Sequence, residues 1–418
     1  MDKKPKILVC SVNSWNSKVG DNTFSILLKG HPKEKIAVVF IREDSPDSDE
    51  CMNYFRISEG AVIKSIVKPK TKTGRKVYVN EIAERKKTSR IVNLYKHKNK
   101  GSYYLKLGIR EVLWYLGRWK SKELNEFIDS FKPDIVIYEM SRYIHLNRII
   151  EYTLQRTGAK GVGCFWDDTF TYKQEKSMGY KLLRFFQRRS LKSLSQYTTD
   201  YFAITPKTKK EADAFLGINS VVLTKPVMSD GAFTEKATSS PIRLLYTGNL
   251  GIGRLDTLRI IVNVISKDQD FILDIYTNSY LSDAERRLLK SENTYLHNAV
   301  SQTEVLELQR NADVLLFLED ISEDNRMARL SFSTKITDYY AAGKCIFAVG
   351  NKDLAPMELL KESNSALIAN NAAEVVTCIN QLKDKEVIHF FAKRSYIVGR
   401  EQHSILKIKK TFWDVLLR

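Results

Sequence analysis

The stretch Arg243–Arg254, RLLYTGNLGIGR, decides the fold that we predict for the second half of this 418-residue chain. An apolar run passes directly into a turn with three glycines, and a helical pattern begins near Asp256. Glycine lets a backbone approach a phosphate closely, while the turn amides and the helix N-terminus donate hydrogen bonds to an anion. The pattern therefore predicts a phosphate site that includes Gly248, Asn249, Gly251 and Arg254. A sharp connection without a ligand is the alternative, and the absence of GxxxxGK[ST] excludes a P-loop.

A second stretch, Ser331–Gly350 (SFSTKITDYYAAGKCIFAVG), predicts another helix end that binds an anion. Ser333 or Thr334 is suited to cap the helix, which places Lys335 in its first turn. The helix dipole disfavours a cation there, and a phosphate shared by the lysine and the helix end would remove that conflict. Asp338, one turn later, is placed to accept hydrogen bonds from ribose hydroxyls. The alternative is a solvated lysine and an aspartate that only favours the helix dipole.

Short apolar runs alternate with helical patterns in both halves of the chain. The predicted strands are Lys6–Val12, Ile36–Arg42, Asp134–Glu139, Gly161–Asp167 and Tyr201–Thr205, then Arg243–Thr247, Phe271–Thr277, Asp313–Leu318 and Cys345–Val349. The predicted helices between them include Ile109–Phe131, Asn147–Thr157, Asp256–Ser266, Thr303–Asn311 and Thr334–Ala342. Nearly continuous apolar runs are typical of parallel strands buried on both faces. The pattern predicts an α/β protein with two Rossmann-like, doubly wound parallel-sheet domains facing a cleft, followed by C-terminal helices.

A chain of 418 residues exceeds one ordinary core, so we expect two domains. The polar stretch Lys225–Pro241 is the predicted linker, with residues 1–225 before it and a second domain over 226–395. His389–Arg418 has the pattern of one or two amphipathic helices, and residues 396–418 are placed to pack back on the first domain. Lys64–Lys100, with 13 Lys and Arg and two acids, is predicted to be a long loop.

The net charge of +18 is concentrated in the first half of the chain. Residues 1–225 carry 43 Lys and Arg against 24 Asp and Glu, whereas residues 226–418 carry 24 against 25. This asymmetry indicates a first domain that faces a polyanion or an anionic membrane, with a merely basic soluble surface as the alternative.

The apolar runs and the cysteines indicate a cytoplasmic protein. The N-terminus lacks the pattern of a signal peptide, and no apolar run reaches the roughly 20 residues that span a bilayer. The five scattered cysteines are odd in number and form no CxxC pair, so we predict reduced core residues.

The glycine turn of Arg243–Arg254, followed about 80 residues later by STKITDYYAAGKCIFA, resembles the C-terminal half of GT-B glycosyltransferases of the family 4 type. The likeness is greatest to bacterial enzymes that assemble capsular or extracellular polysaccharide. Leu113–Glu139 and Cys164–Asp168 resemble the N-terminal domain of the same group. The resemblance implies a first domain that faces the acceptor and a second that binds a nucleotide-diphosphate sugar. It places Gly248, Arg254 and Lys335 at the diphosphate and Asp338 at the ribose.

Two residues depart from the pattern of that family. Leu330 stands where a glutamate often contacts the transferred sugar, and Asn249 stands where the glycine turn often has an arginine. Both departures bear on the identity of the sugar and on the geometry around the leaving group.

The sequence CFWDD, Cys164–Asp168, places two carboxylates directly after a predicted buried strand. A carboxylate there, Asp168 or Asp167, is placed to orient or deprotonate an acceptor hydroxyl, and Trp166 to stack on a sugar face. Glu139, at the end of another strand, is a third candidate catalytic carboxylate. An aspartate that only caps the following helix is an equally good interpretation.

Tyr180–Leu194 (YKLLRFFQRRSLKSL) has the pattern of a basic amphipathic helix without a single acid. Its apolar half holds Tyr180, Leu182, Leu183, Phe186, Leu191 and Leu194, and its other half holds Lys181, Arg184, Arg188, Arg189 and Lys192. Such helices lie well on anionic membranes. We predict membrane contact through Lys181, Arg184, Phe186, Arg188 and Arg189. A helix with its apolar face on the domain core is the alternative.

These patterns together predict a retaining, hexosyltransferase-type enzyme of surface polysaccharide biosynthesis on the inner face of the cell membrane. It would move a sugar from a nucleotide diphosphate, UDP above all, to a hydroxyl of a lipid-linked glycan. We expect no cofactor, no nucleic acid partner and no metal, because Lys335, Arg254 and the helix end supply charge to the departing diphosphate. Asp47–Asp49 is interpreted as a solvated turn. The alternatives are a nucleotide-sugar epimerase of the same fold, a catalytically silent GT-B partner subunit, and a basic nucleic-acid-binding protein.

Overall fold

The structure is a computed structural model that describes residues 4–16, 23–79, 100–228, 231–234, 236–322, 326 and 328–418. The chain forms two compact units. The first consists of Met1–Leu223 and Phe412–Arg418, and the second of Thr224–Thr411. No helix in these described ranges has the length and apolar character needed to cross a membrane.

The described part of the first unit is built on one eight-stranded sheet. Its strands are β1 (Ile7–Ser11), β2 (Ile36–Phe40), β3 (Asn53–Ile57), β4 (Gly74–Val77), β5 (Ile135–Glu139), β6 (Lys160–Phe165), β7 (Asp200–Ala203) and β8 (Val221–Val222). They lie in the order β4-β3-β2-β1-β5-β6-β7-β8, and all neighbours pair in parallel except β3 and β4. The central strands β1 and β2 are buried at every residue, as their continuous apolar runs predict.

Helices cover this sheet between its strands. They are α1 (Thr23–Leu28), α2 (Glu59–Val67), α3 (Lys100–Leu116), α4 (Lys122–Phe131), α5 (Ile144–Thr157), α6 (Met178–Ser195) and α7 (Pro206–Leu216), with a 3-10 turn at Lys33–Lys35.

The prediction of one helix over Ile109–Phe131 is wrong, because the chain breaks between α3 and α4. A Cβ on Gly117 would lie 2.4 Å from Cγ1 of Val62 and 2.7 Å from its carbonyl oxygen, so only glycine allows this approach to α2. Ser121 then caps α4 by accepting a 3.1 Å hydrogen bond from the Leu124 amide. A glycine and a capping serine therefore end one helix and begin the next.

The described part of the second unit is built on six parallel strands. They are β9 (Ile242–Thr247), β10 (Phe271–Thr277), β11 (Thr294–Asn298), β12 (Val314–Leu318), β13 (Cys345–Val349) and β14 (Leu367–Ala369). Their order, β11-β10-β9-β12-β13-β14, is that of a doubly wound nucleotide-binding sheet, whose winding direction reverses between β9 and β12. The helices are α8 (Arg254–Ile265), α9 (Asp283–Leu288), α10 (Gln302–Asn311), α11 (Thr334–Ala342), α12 (Ala355–Glu362), α13 (Ala372–Gln381), α14 (Lys385–Gln402) and α15 (Ile405–Leu416).

Several boundaries differ from the predicted ones. Along the chain, the boundary between the units falls between residues 223 and 224. The predicted linker Lys225–Pro241 therefore belongs to the second unit, and its residues 229, 230 and 235 lie outside the described part. The predicted loop Lys64–Lys100 contains the end of α2, all of β4 and the first residue of α3, and its residues 80–99 lie outside the described part.

The C-terminal segment, for which one or two helices are predicted over His389–Arg418, forms two helices, α14 and α15, and the first begins at Lys385. Of residues 396–418, only Phe412–Arg418 belong to the first unit. There the Phe412 ring stacks on Phe202 at 5.9 Å, and Lys160 Nζ donates to the carbonyl of Val415 at 2.8 Å. All five cysteines are free and buried, as predicted.

Candidate functional site

The glycine turn of the second unit follows β9 at the point where the winding of the sheet reverses. Ligands of open α/β sheets bind there, since the loops after the two central strands leave towards opposite faces. The turn has an unusual backbone: φ is 142° at Gly248, 58° at Ile252 and 78° at Gly253. A Cβ on Gly248 would lie 2.2 Å from Lys335 Nζ, and one on Gly253 would lie 2.2 Å from the Asp320 carboxylate. Glycine is therefore favoured at both positions by conformation, and at Gly253 also by space, because a Cβ there would lie 2.7 Å from Cβ of Asp320.

Asn249 and Gly251 shape this turn. The Asn249 side-chain oxygen accepts a 2.6 Å hydrogen bond from the Gly251 amide, and Tyr246 Oη donates to the Asn249 carbonyl, also at 2.6 Å. Gly253 then occupies the N-cap position of α8, where no side chain caps the helix. The turn is thus fixed by its own side chains, and the first two amides of α8, those of Arg254 and Leu255, donate to the carbonyls of Gly251 and Leu250 at 3.4 and 3.1 Å.

Arg254, the first residue of α8, is held by the end of the neighbouring strand β12. Its Nη2 lies 3.0 and 2.9 Å from the two carboxylate oxygens of Glu319, and its Nε donates to the Leu318 carbonyl at 3.1 Å. The Glu319 side chain is only 3% exposed, against 18% for that of Arg254. Sequence reasoning missed Glu319, although a charged residue directly after the apolar run VLLFL is the signal that could have found it.

Lys335 reaches the same place from the first turn of α11. Its Nζ lies 3.4 Å from Tyr246 Oη and 4.6 Å from the centre of the Tyr246 ring. Burial and the nearby charge of Arg254 lower the pKa of Lys335 to about 8, while Glu319 and Asp338 act in the opposite direction. The structure therefore brings Lys335 and Arg254 together beside the glycine turn.

The rest of α11 follows the predicted pattern in part. Ser333 is the N-cap residue, but its side chain makes no capping hydrogen bond, and Thr334 is exposed beside it. Asp338 is half-buried one turn on, close enough for its charge to act on Lys335. Leu330, where the family pattern often has a glutamate, is completely buried. An apolar buried side chain cannot donate to or accept from a sugar hydroxyl.

A second group of charged residues lies at the equivalent edge of the first unit. Glu139 ends β5, Asp167 follows the adjacent strand β6, and Arg142 follows Glu139 by three residues. Burial and the charge of Asp167 raise the pKa of Glu139 to about 7, and Arg142 opposes that shift. Burial likewise raises the pKa of Asp167, with Arg142 again opposing the change. Glu139 is thus a carboxyl group that changes protonation near neutral pH. Arg142 was not predicted.

The contacts of Asp168 are those of a turn residue, and the interpretation that it caps the following helix is wrong, because α6 is capped by Ser177. The side chain is 4% exposed. One carboxylate oxygen accepts the Thr171 amide at 2.9 Å, and the other accepts the Thr171 hydroxyl. Both oxygens therefore stabilise the turn that follows β6, which leaves Asp167 and Glu139 as the better candidates. Trp166 is half-buried, with its ring 5.8 Å from that of Phe24 in α1.

The helix predicted to bind a membrane exists as α6, but its buried face differs from the predicted one. That face consists of Tyr180, Arg184, Gln187, Leu191 and Leu194. The expectation of membrane contact is wrong for Arg184, which is 3% exposed and donates to the Asp168 carbonyl and to the Gln174 side chain. Arg188 is half-buried, with its guanidinium 4.2 Å from the Phe215 ring centre. Lys181, Phe186 and Arg189 are exposed.

The acidic motif Asp47–Asp49 lies outside both groups of charged residues. Asp49 is exposed and pairs with Lys33 at 3.0 Å. Among the residues that the structure describes, no cluster of three or more His, Cys, Asp or Glu side chains is arranged to hold a metal ion.

No family model matches the chain, and no curated protein matches its sequence. Solved structures, however, match its fold over nearly the full length of both chains. The structure of TarM aligns with a TM-score of 0.61 at 10% identity, covering 99% of each chain. The lipopolysaccharide outer core galactosyltransferase WaaB aligns with a TM-score of 0.57 at 14% identity, covering 98% of this chain and 99% of that one. A glycosyltransferase from Rickettsia africae aligns with a TM-score of 0.56 at 13% identity, covering 98% of both.

At these identities the likeness concerns the fold. Its two α/β units, each on a doubly wound and mainly parallel sheet, agree with the fold expected from the sequence. The chain has the fold of the GT-B glycosyltransferases.

Proposed function

We propose that this protein is a glycosyltransferase that moves a sugar from a nucleotide-diphosphate sugar, a UDP-sugar above all, to a hydroxyl of a glycan acceptor. The observation that carries this proposal is the convergence of Arg254 and Lys335 beside the glycine turn. Each belongs to the first turn of a helix whose N-terminus has no side-chain cap. Two cations beside one glycine turn, each at the start of a helix, suit a diphosphate.

The donor half of the reaction follows from these contacts. When the bond from the sugar to the diphosphate breaks, negative charge grows on the leaving phosphate. Preorganised cations and amides stabilise that charge without having to reorganise, and such electrostatic stabilisation commonly contributes more to catalysis than any other effect. Asp338, one turn beyond Lys335, is the residue that we assign to the ribose hydroxyls. No metal ion is needed for this account.

The acceptor half is assigned to the first unit. Glu139, partly ionised at neutral pH, accepts a hydrogen bond from the acceptor hydroxyl and orients it, and Asp167 tunes its pKa. Trp166, half-buried after β6, provides a ring on which a sugar can stack. The proposal includes retention of the anomeric configuration, which the coupling constant of the anomeric proton in the product tests.

We assign the acceptor to a lipid-linked glycan on the inner face of the cell membrane, in the synthesis of a surface polysaccharide. Two features support this part of the proposal. Residues 1–225 carry the whole excess of positive charge, and α6 contains no acid. Positive surfaces are attracted to the anionic lipids of the cytoplasmic leaflet.

Nucleotide binding is the direct test of the donor site. UDP, GDP, ADP and TDP should be compared in a thermal-shift assay, and the preferred one should raise the melting temperature. Lys335→Ala and Arg254→Ala should each weaken that nucleotide by roughly 10- to 100-fold, because each removes a charge-assisted hydrogen bond to phosphate. Arg259→Ala, on the same helix α8, is the control and should bind normally. Wild-type responses in both site variants would show that the diphosphate binds elsewhere.

The pH dependence of binding tests Lys335 in particular. Because its pKa is lowered to about 8 in the empty site, the amine is charged below pH 8 and becomes neutral as the pH rises above it. Bound diphosphate favours the charged form, so the Kd of UDP should rise about tenfold between pH 7 and 9.5 by calorimetry. Lys335→Arg keeps its charge over this range and should abolish that rise. A flat wild-type profile would contradict the assignment of Lys335 to the diphosphate.

The acceptor carboxylate is tested by kinetics. Glu139→Gln should lower kcat by about 10²-fold or more while UDP binding is unchanged, since the charged acceptor of a hydrogen bond is lost. Wild-type activity should fall as the pH drops below about 7, where Glu139 becomes protonated, and Asp167→Asn should move this limb to lower pH. Glu126→Gln, on the surface of α4, serves as the matched control. A Glu139→Gln enzyme with wild-type kcat would exclude this residue from the reaction.

A silent partner subunit is the second candidate function, and Leu330 is the observation that favours it. In the family pattern a glutamate at this position often contacts the transferred sugar. The leucine has no carboxylate, and its side chain is buried. Such a protein would bind the nucleotide in the thermal-shift assay and yet transfer no sugar from any tested UDP-sugar.

A further inference from the structure

Helix α3 carries an apolar stripe that faces solvent. Leu105, Ile109, Val112 and Leu116 are between 50% and 66% exposed. Their spacing of four, three and four residues places them on one face of the helix. The opposite face holds Trp114, which is completely buried and donates to the Glu59 carboxylate at 2.8 Å. One face of α3 is therefore packed against the domain and makes polar contacts, and the opposite face is apolar and exposed.

Helix α6 shows the same arrangement. Met178, Leu182 and Phe185 are between 53% and 78% exposed, and they share one face. The face turned to the core includes Arg184, whose charge is buried at that place. A charged residue is thus inside, beside Tyr180, Leu191 and Leu194, while three large apolar residues are outside, which is unusual for a helix on a water-soluble domain.

The two helices are neighbours. A Cβ on Gly179 of α6 would lie 3.4 Å from Cβ of Tyr104 in α3, and the Tyr104 and Tyr180 rings meet at 5.6 Å. We call the exposed stripes of α3 and α6 together the two-helix face. Exposed apolar residues on two neighbouring helices indicate a site of interaction with a membrane or another protein.

The charges on these helices distinguish between those partners. Helix α6 contains no acid, and Glu111, the one acid in the α3 sequence, accepts from the backbone amides of Ile144 and His145 at 3.3 and 2.9 Å. Lys181 and Arg189 are exposed on α6. A second copy of this chain, docked through the same face, would bring like charges together. An apolar face flanked by cations instead complements a layer of anionic headgroups above acyl chains.

We infer that the two-helix face lies on the surface of an anionic lipid bilayer, with the apolar stripes of α3 and α6 at the level of the acyl chains. This inference rests on the proposed function only in so far as a lipid-linked acceptor requires the enzyme at a membrane. It assigns the contact to α3 as well as α6, and to apolar residues as well as cations. Arg184 takes no part in it.

Vesicle flotation with the full chain tests the inference. Wild-type protein should bind vesicles containing phosphatidylglycerol at least tenfold more strongly than vesicles of phosphatidylcholine alone. Lys181→Glu with Arg189→Glu should remove most of that preference, since each cation near an anionic surface contributes about tenfold or less. Ile109→Ser, Val112→Ser, Leu182→Ser and Phe185→Ser together should reduce binding to phosphatidylglycerol vesicles at least tenfold. All six side chains are on the outside, so the variants should fold.

The controls lie in the second unit. Tyr280→Ser removes a side chain that is 93% exposed, and Lys290→Glu with Lys352→Glu reverses two exposed cations. These proteins should float like the wild type. Equal flotation of the four-serine variant and the wild type would overturn the inference. So would a wild-type dimer in solution that the four-serine variant converts to a monomer, because the face would then join two copies.

The donor site provides an independent reference. The variants of the two-helix face should keep the thermal shift with UDP, and they should keep transfer to a soluble acceptor. Loss of flotation with an intact UDP response confirms the surface. A wild-type protein that floats as expected but gives no UDP response would contradict the proposed function and leave the surface intact.

Discussion

Strand β9 pairs with β10 on one side and with β12 on the other, and this reversal in winding governs the chemistry of the second unit. The segment after β9 and the segment after β12 leave the sheet at adjacent points, so Arg254 and Glu319 meet although 65 positions separate them. Gly248 is small enough for Lys335 to approach from α11. In the first unit β1 lies likewise between β2 and β5, and Glu139 ends the latter. The same topology thus places charged residues at corresponding edges of both sheets.

The charges beside the glycine turn are costly for an empty protein. Glu319 is almost fully buried and compensates Arg254, which limits the penalty of removing that carboxylate from water. The lowered pKa of Lys335 expresses the unfavourable burial of a second cation beside the first. An apolar residue would be better for stability alone at this position. The arrangement makes physical sense once a dianionic ligand joins the two cations, since burial then strengthens the attraction.

Much of the fold was predictable because buried parallel strands are continuous apolar runs. Strands β1, β5, β10, β12 and β13 lie within a residue or two of their predicted ends. The short strands β8 and β14 were not predicted, because they have only two and three residues. Strand β3 was not predicted either, because its run contains Asn53 and Arg56. The break after α3 depends on the closeness of Val62 to Gly117, which no local pattern reports.

The residues of the candidate site likewise fall into those that have a local sequence pattern and those that depend on tertiary contacts. Gly248, Arg254 and Lys335 could be found because a strand, a glycine turn and a helix start form a local signature. Glu319 follows the apolar run VLLFL, but its pairing with Arg254 is evident only when β12 is seen beside β9. The prediction that Arg184 is exposed on α6 was wrong because a charged side chain can be buried where hydrogen-bond acceptors are available to it. The Asp168 carbonyl and the Gln174 side chain provide them, from a segment that sequence periodicity does not describe.

Helix α15 has a consequence for how the chain folds as it is made. Its last residues belong to the first unit, where Phe412 stacks on Phe202 and the Trp413 ring lies 5.1 Å from that of His31. Domains made of one continuous segment can complete their packing as soon as that segment leaves the ribosome. The first unit cannot complete its packing in this way, because its first 223 residues need Phe412–Arg418. While the nearly 190 residues between these two segments are being synthesised, the rings of Phe202 and His31 lack their partners.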